Sequence, residues 1–174
     1  MTATARPTWL TTAVRPDHPD AALLLREYMT EMVVRYHNRP ALPGEVDAAL
    51  AEMPSDDLTA PGGLLLLAHH GADLAGCAGL RWQPGWAELT RVYVRATHRG
   101  AGGGAALLAA VEERARAAGV DRIRLDTRHD LVEARALYAR HGYVEIPAYA
   151  HRTYADHWFE KRLSRAVDVC ARTR

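Results

Sequence analysis

The chain has 174 residues, a net charge of +1 at pH 7 and a hydrophobic share of 48%. That length suits one domain with a core of its own, and the near-balanced charge gives no electrostatic support for a general nucleic-acid or membrane-surface role. No run approaches the roughly 18 apolar residues of a membrane span, and residues 1–9 are polar and lack the apolar core of a signal peptide. They read as a flexible N-terminus before a single domain over 10–163 and a polar tail over 164–174. Leu10 to Val14 reads as a strand, and Asp17-His18-Pro19-Asp20 supplies helix-start chemistry. Leu25, Met29, Met32 and Tyr36 then recur at helical spacing to about His37. A second helix is expected over 45–53 and a loop over 54–63. Strands are expected over 64–68, 74–82 and 86–94, joined by Gly71-Ala72-Asp73 and Pro84-Gly85 turns. A helix to Ala118 is closed by Gly119, a strand covers 123–125, and a helix over 131–140 is stopped by Gly142. Strands over 143–146 and 157–163 complete the order β-α-α-β-β-β-α-β-α-β-β.

An antiparallel meander thus precedes a single β-α-β crossover. The predicted class is α/β of the α+β kind, a mixed central sheet flanked by helices rather than a doubly wound sheet. Cys77 falls in an apolar strand and Cys170 in the tail, which reads as two unpaired thiols in a reducing cytoplasm. Lys161 is the only lysine among many arginines and alanines, a bias associated with GC-rich bacterial genes. The nine histidines show no compact ligand spacing, so no metal is expected.

The richest stretch is Arg99-Gly100-Ala101-Gly102-Gly103-Gly104-Ala105, set between the third meander strand and a helix. A glycine-rich turn of this kind exposes the bare N–H groups of a helix start, an anion site suited to phosphate or pyrophosphate. Three glycines opening a helix cost helix stability, which favours a ligand site over a mere tight turn. Two chemistries fit. Gly100 to Ala105 matches G-x-G-x-x-A, with Asp121 and Asp126 near where a ribose-binding acid belongs, the mark of a nicotinamide dinucleotide-binding oxidoreductase. Against it, hairpins come first and only one crossover follows.

The same residues read as R-x-x-G-x-G through Arg99, Gly102 and Gly104. This resembles the acyl-CoA loop of the GNAT superfamily of N-acetyltransferases. Val92-Tyr93-Val94, leading into that loop, is similar to the family's fourth strand. Leu131 to Tyr143 resembles its last helix, with an A-x-x-L-Y-x-x-x-G-F/Y pattern, and His157 to Lys161 resembles its closing strand. The similarity is strong over 88–163 and rests on element order before that. It implies the acyl-CoA N-acyltransferase fold, acetyl-CoA as acyl donor and a primary amine on a small molecule, peptide or protein as acceptor.

Residue by residue, the resemblance places the pantetheine arm on backbone groups of Val92, Tyr93 and Val94. It places the pyrophosphate on the N–H groups of Arg99, Gly100, Ala101, Gly102, Gly103, Gly104 and Ala105. The Val94 N–H would face the oxyanion of the tetrahedral intermediate. Tyr138 would protonate the leaving thiolate, against a competing role in core packing. Glu88 would take the amine's proton, against a competing role as ion-pair partner of Arg91 or another arginine. On a regular strand Glu88, Thr90, Val92 and Val94 share a face, a register that a bulge would change. Tyr28, Tyr36 and His37 are candidates for the acceptor pocket, one tyrosine being expected in the core, and the segment 147–156, with Tyr149, His151, Arg152 and Tyr154, is expected to shape it without favouring one charge. Leu131 stands where many members have Asn, which loses a side-chain hydrogen bond to the cofactor arm. A non-catalytic acyl-CoA-binding sensor is the reading outside enzymology. Assembly is open, homodimers being common among relatives.

Overall fold

A computed structural model describes residues 8–164. Seven strands form one sheet in the order β1-β2-β3-β4-β5-β7-β6. They are β1 (Trp9–Val14), β2 (Gly63–His70), β3 (Asp73–Gln83), β4 (Trp86–Val94), β5 (Arg122–Thr127), β6 (Val144–Ile146) and β7 (His157–Arg162). Four helices accompany them, α1 (Pro19–His37), α2 (Glu45–Glu52), α3 (Gly103–Ala117) and α4 (Val132–Arg140). Every neighbouring pair is antiparallel except β4 and β5. With one parallel pair this is not a doubly wound dinucleotide fold. The expected mixed sheet is present, with most element ends within two residues of expectation.

Residues of opposite parity in β2 and β3 feed two cores. Leu66, Ala68, Ala78 and Leu80 pack with Leu107, Leu108 and Val111 of α3 and with Tyr138 and Phe159. Leu65, Leu67 and Cys77 pack on the other face with Ala21, Leu24 and Leu25 of α1. Both faces of the sheet centre are therefore covered, which is why β2 reads as a continuous apolar run rather than an alternating one. β2 and β1 both run longer than expected, because Trp9 pairs with His70. Of the nine residues expected as a flexible N-terminus, Trp9 is thus part of the sheet; residues 1–7, and the tail beyond 164 with Cys170, lie outside the described residues. The helix ends follow their chemistry: His18 Nδ1 accepts from the Asp20 N–H at 3.2 Å at the start of α1, and α1 closes on left-handed Asn38. Gly119 and Gly142 take φ of +76° and +82° just past α3 and α4.

Candidate active site

β4 and β5 pair at two positions only, Ala87 with Ile123 and Glu88 with Arg124. Beyond them β4 runs on from Leu89 to Val94 with no strand paired on that side among the described residues. The cause lies in β4 itself. Cys77 faces Tyr93 and Gly79 faces Thr90, so Ala78 opposes both Arg91 and Val92. This is a β-bulge, with Arg91 at φ +55°, and a bulge bends and twists its strand. The shared face expected for Glu88, Thr90, Val92 and Val94 is therefore broken at Arg91. Past the bulge the Arg95 N–H donates to the Ala75 carbonyl at 2.8 Å. Strand alternation then points the backbone groups of Tyr93 at β3 as well, and those of Val92 and Val94 into the gap. Of the three residues only Val92 and Val94 turn backbone groups into the gap, while Tyr93 lines it as a residue of its wall.

The glycine loop closes one end of the gap. Gly100 and Gly102 sit at φ +78° and +86°, where L side chains are strained, and a Cβ at either would meet open space. Gly102 is the N-cap of α3 and offers no side-chain cap, so the first N–H groups of the helix are free toward the cleft. Gly103 and Gly104 are glycines for another reason: a Cβ would lie 2.6 Å from the Trp9 ring and 2.8 Å from Leu137. Trp9 Nε1 donates to the Ala101 carbonyl at 2.7 Å, and its ring stacks on His70 with centroids 4.6 Å apart. Ala101 thus turns to Trp9, whereas Arg99, Gly100, Gly102, Gly103, Gly104 and Ala105 all line the cleft. The Arg99 side chain is held by Glu31 at 2.5 Å and donates to the Val94 carbonyl at 2.9 Å.

The cleft holds about 1530 Å³, more than the roughly 300–1,000 Å³ of a single small-ligand site. Tyr138 stands on its wall, its ring packed on Tyr143 and Phe159 at 5.8 and 6.1 Å. It belongs to the apolar core and lines the cleft at once. Burial first, then the nearby Tyr28 and Asp126, push its phenol well above the ordinary value. It stays protonated and can donate at neutral pH. Leu131 is the uncapped N-cap of α4 and also lines the cleft.

Glu88 also lines the cleft, 4% exposed. Its oxygens face Arg152 at 2.5 Å and Arg81 at 3.4 Å. The ion-pair arrangement is therefore present, with these two arginines rather than Arg91. Arg152 also holds Asp126 at 3.1 Å, and burial raises the Asp126 carboxyl against the pull of Arg152. Tyr154, two residues on from Arg152, meets Tyr36 at 5.4 Å and donates to Glu52 at 3.2 Å. Tyr28, Tyr36 and His37 all line the cleft, and neither tyrosine joins an apolar cluster. Of the segment 147–156 expected to shape the acceptor pocket, His151, Arg152 and Tyr154 do line the cleft; sequence reasoning missed Arg81, Arg91, Asp126 as a cleft acid and Trp9. Asp126 had a signal, since it sits near the carboxyl end of the parallel strand β5; the arginines had none. Among the described residues no three His, Cys, Asp or Glu side chains stand together as a metal site.

Residues 26–143 match the acetyltransferase (GNAT) family. The chain belongs to that family. The match begins in α1, well before the motifs that carry the resemblance in sequence. GNAT members of known structure share the fold. A Klebsiella pneumoniae protein proposed to be an acyl-CoA N-acyltransferase is 25% identical, covering 90% of this chain and 99% of its own, with a TM-score of 0.70. The PaiA N-acetyltransferase of Thermoplasma acidophilum, solved with coenzyme A, is 17% identical over 89% and 99%, with a TM-score of 0.71. A Staphylococcus aureus GNAT acetyltransferase is 16% identical over 90% and 100%, with a TM-score of 0.68. No curated protein sequence matches the chain. GNAT membership makes this an acyltransferase fold that takes its acyl group from a CoA thioester.

Proposed function

We propose that the protein is an N-acetyltransferase that moves the acetyl group of acetyl-CoA to a primary amine of a small molecule, peptide or protein. The observation that carries this reading is the gap between β4 and β5, with one unpaired strand edge, one uncapped helix start and Tyr138 in a single cleft. The residues fit an acyl-CoA. A Cβ at Gly100 or Gly102 would stand in the open cradle, and the helix start favours a pyrophosphate there. The backbone groups of Val92 and the N–H of Val94 hold an extended arm as an added strand would be held, the Val94 carbonyl being taken by Arg99.

In this reading the amine nitrogen attacks the thioester carbonyl. The N–C bond forms and the C–S bond breaks. The Val94 N–H donates to the carbonyl oxygen as it gains charge. The Tyr138 hydroxyl gives its proton to the departing sulfur. The surplus amine proton passes to Glu88, which must first part from Arg152, its more exposed partner. Cys77, fully buried and unpaired, agrees with work in a reducing cytoplasm.

Calorimetry with acetyl-CoA, CoA and NADPH tests the donor, followed by a thiol-release screen of amines. Acetyl-CoA should bind and release CoA only with an acceptor present. Binding of NADPH alone would sink the reading, and acetyl-CoA binding with no turnover on any amine would favour a sensor. In an active enzyme, Glu88→Gln should lower turnover and change the shape of the pH–rate profile; an unchanged profile removes Glu88 as base.

A further inference from the structure

Around Glu88 and Asp126, three arginines of the cleft are paired with carboxylates and a fourth, Arg91, is not. Arg81 lies on Asp57 and Glu88, Arg128 on Asp130, and Arg152 on Glu88 and Asp126. Arg91 is only 8% exposed, yet its polar partners are all neutral. Nε donates to Ser55 Oγ at 3.0 Å and Nη1 to Thr90 Oγ1 at 3.2 Å. Nη2 donates to the carbonyls of Met53 and Pro54 at 2.8 and 3.5 Å. The Tyr28 ring stacks 5.6 Å from the guanidinium carbon. A guanidinium carries five N–H donors, so one Nη1–H is left without an acceptor.

A buried charge is ordinarily paired, because desolvating it alone is costly. This one also stands on strained backbone, at the bulge residue with φ +55°. Strain at a single position in a cleft points to a ligand. Arg91, Tyr28, Thr90, Met53 and Pro54 all line the same cleft.

We propose that Arg91 is an anion subsite for the acyl acceptor, and that the acceptor is an amine bearing a carboxylate a short distance from its nitrogen. This rests on the transferase reading. The opposite charge is met elsewhere on the wall, where Glu88 and Asp126 share Arg152 as a partly exposed counter-ion. An ammonium that displaces Arg152 finds both carboxylates. A polycation would set like charge against Arg91, and a polyanion would meet Glu88 and Asp126. A zwitterionic amine satisfies both ends.

The test compares amino acids with their decarboxylated amines as acceptors: L-phenylalanine with phenethylamine, L-leucine with 3-methylbutylamine, and L-lysine with cadaverine. For the wild type, kcat/KM should favour the carboxylate-bearing member by more than about tenfold, the scale of a charge-assisted hydrogen bond. Arg91→Gln should bring that ratio to about one, through KM for the amino acid, and Arg91→Lys should restore most of it. If Arg91 only staples the 53–55 loop to β4, Arg91→Gln lowers both members alike and the ratio stands, which overturns the proposal. So does a wild-type ratio near one. Saturation-transfer NMR of the same pairs, with and without acetyl-CoA, gives a readout free of turnover. Amino acids bound by wild type and not by Arg91→Gln support the subsite; equal or absent binding overturns it. Loss of acetyl-CoA binding in calorimetry, by contrast, strikes the transferase reading itself.

Discussion

The two walls of the cleft are built by different means. The donor wall is mostly backbone: the free edge of β4, a glycine loop and a helix start, all within residues 92–105. Its geometry comes from φ angles and an interrupted strand pairing. The acceptor wall is mostly side chain. Arg91 reaches Met53 across 38 positions, Arg152 reaches Glu88 across 64, and Tyr154 reaches Glu52 across 102. A wall of backbone can accept one invariant partner, because N–H and C=O groups are the same in every chain. A wall of side chains is where one member of a family can differ from the next.

The sharpest way to break the donor wall is at its glycines. Gly102→Val places a β-branched residue at φ +86°, at a cost of about 1–3 kcal/mol, and fills the open cradle. Acetyl-CoA affinity in calorimetry should fall by more than about a hundredfold. Arg99→Ala should cost less than tenfold, since that side chain is already committed to Glu31 and the Val94 carbonyl. Equal losses from both would mean that the side chain, not the backbone, makes the anion site. Tyr138→Phe comes next. Turnover should drop by about a hundredfold, as for loss of a general acid, with KM for acetyl-CoA hardly changed. Burial lifts this phenol above its usual value of 10.0, so Tyr138 contributes no alkaline limb to the rate below pH 10. A limb near pH 8 would have to come from another group.

This contrast also explains what was legible in the sequence. The glycine loop, the strand before it and the tyrosine helix lie in short contiguous runs, and each local pattern carries its own geometry. Periodicity and turn chemistry likewise fixed the element order. Trp9 was illegible as an anchor. Its contacts with Gly103 and the Ala101 carbonyl span more than 90 positions, and a lone tryptophan near a polar terminus has no local signature. The bulge was illegible too, because nothing in Leu89-Thr90-Arg91-Val92 marks Arg91 for positive φ. Glu88 was found by position, but its pairing with Arg81 and Arg152 was not, since ion pairs between distant elements follow only from the assembled sheet.

Trp9→Ala tests whether that unread contact matters to the donor wall. It removes a 2.7 Å hydrogen bond and the packing over Gly103. Stability should fall by about 2–3 kcal/mol, given that the indole is partly buried, and acetyl-CoA affinity by about tenfold. A loss of stability with unchanged affinity would make Trp9 a brace of the sheet edge alone.

The smallest effect expected is on the acceptor wall and is read in pH rather than in rate. Burial raises the Asp126 carboxyl, and Arg152 is the largest influence lowering it again. Arg152→Ala removes that positive charge, so Asp126 should hold its proton to higher pH. If an ammonium is received by ionised Glu88 and Asp126, the acidic limb of kcat/KM must then move upward, by about one pH unit for a lost ion pair. On the alkaline side of that limb, where both keep the carboxyl ionised, the variant should differ little from wild type; on its acidic side it should be several-fold slower. Arg152→Lys, which returns a positive charge without the paired geometry, should recover part of the shift. An acidic limb that stays in place would mean that Asp126 is a structural counter-ion of the 152–156 segment, and that the acceptor's amine is received by Glu88 alone.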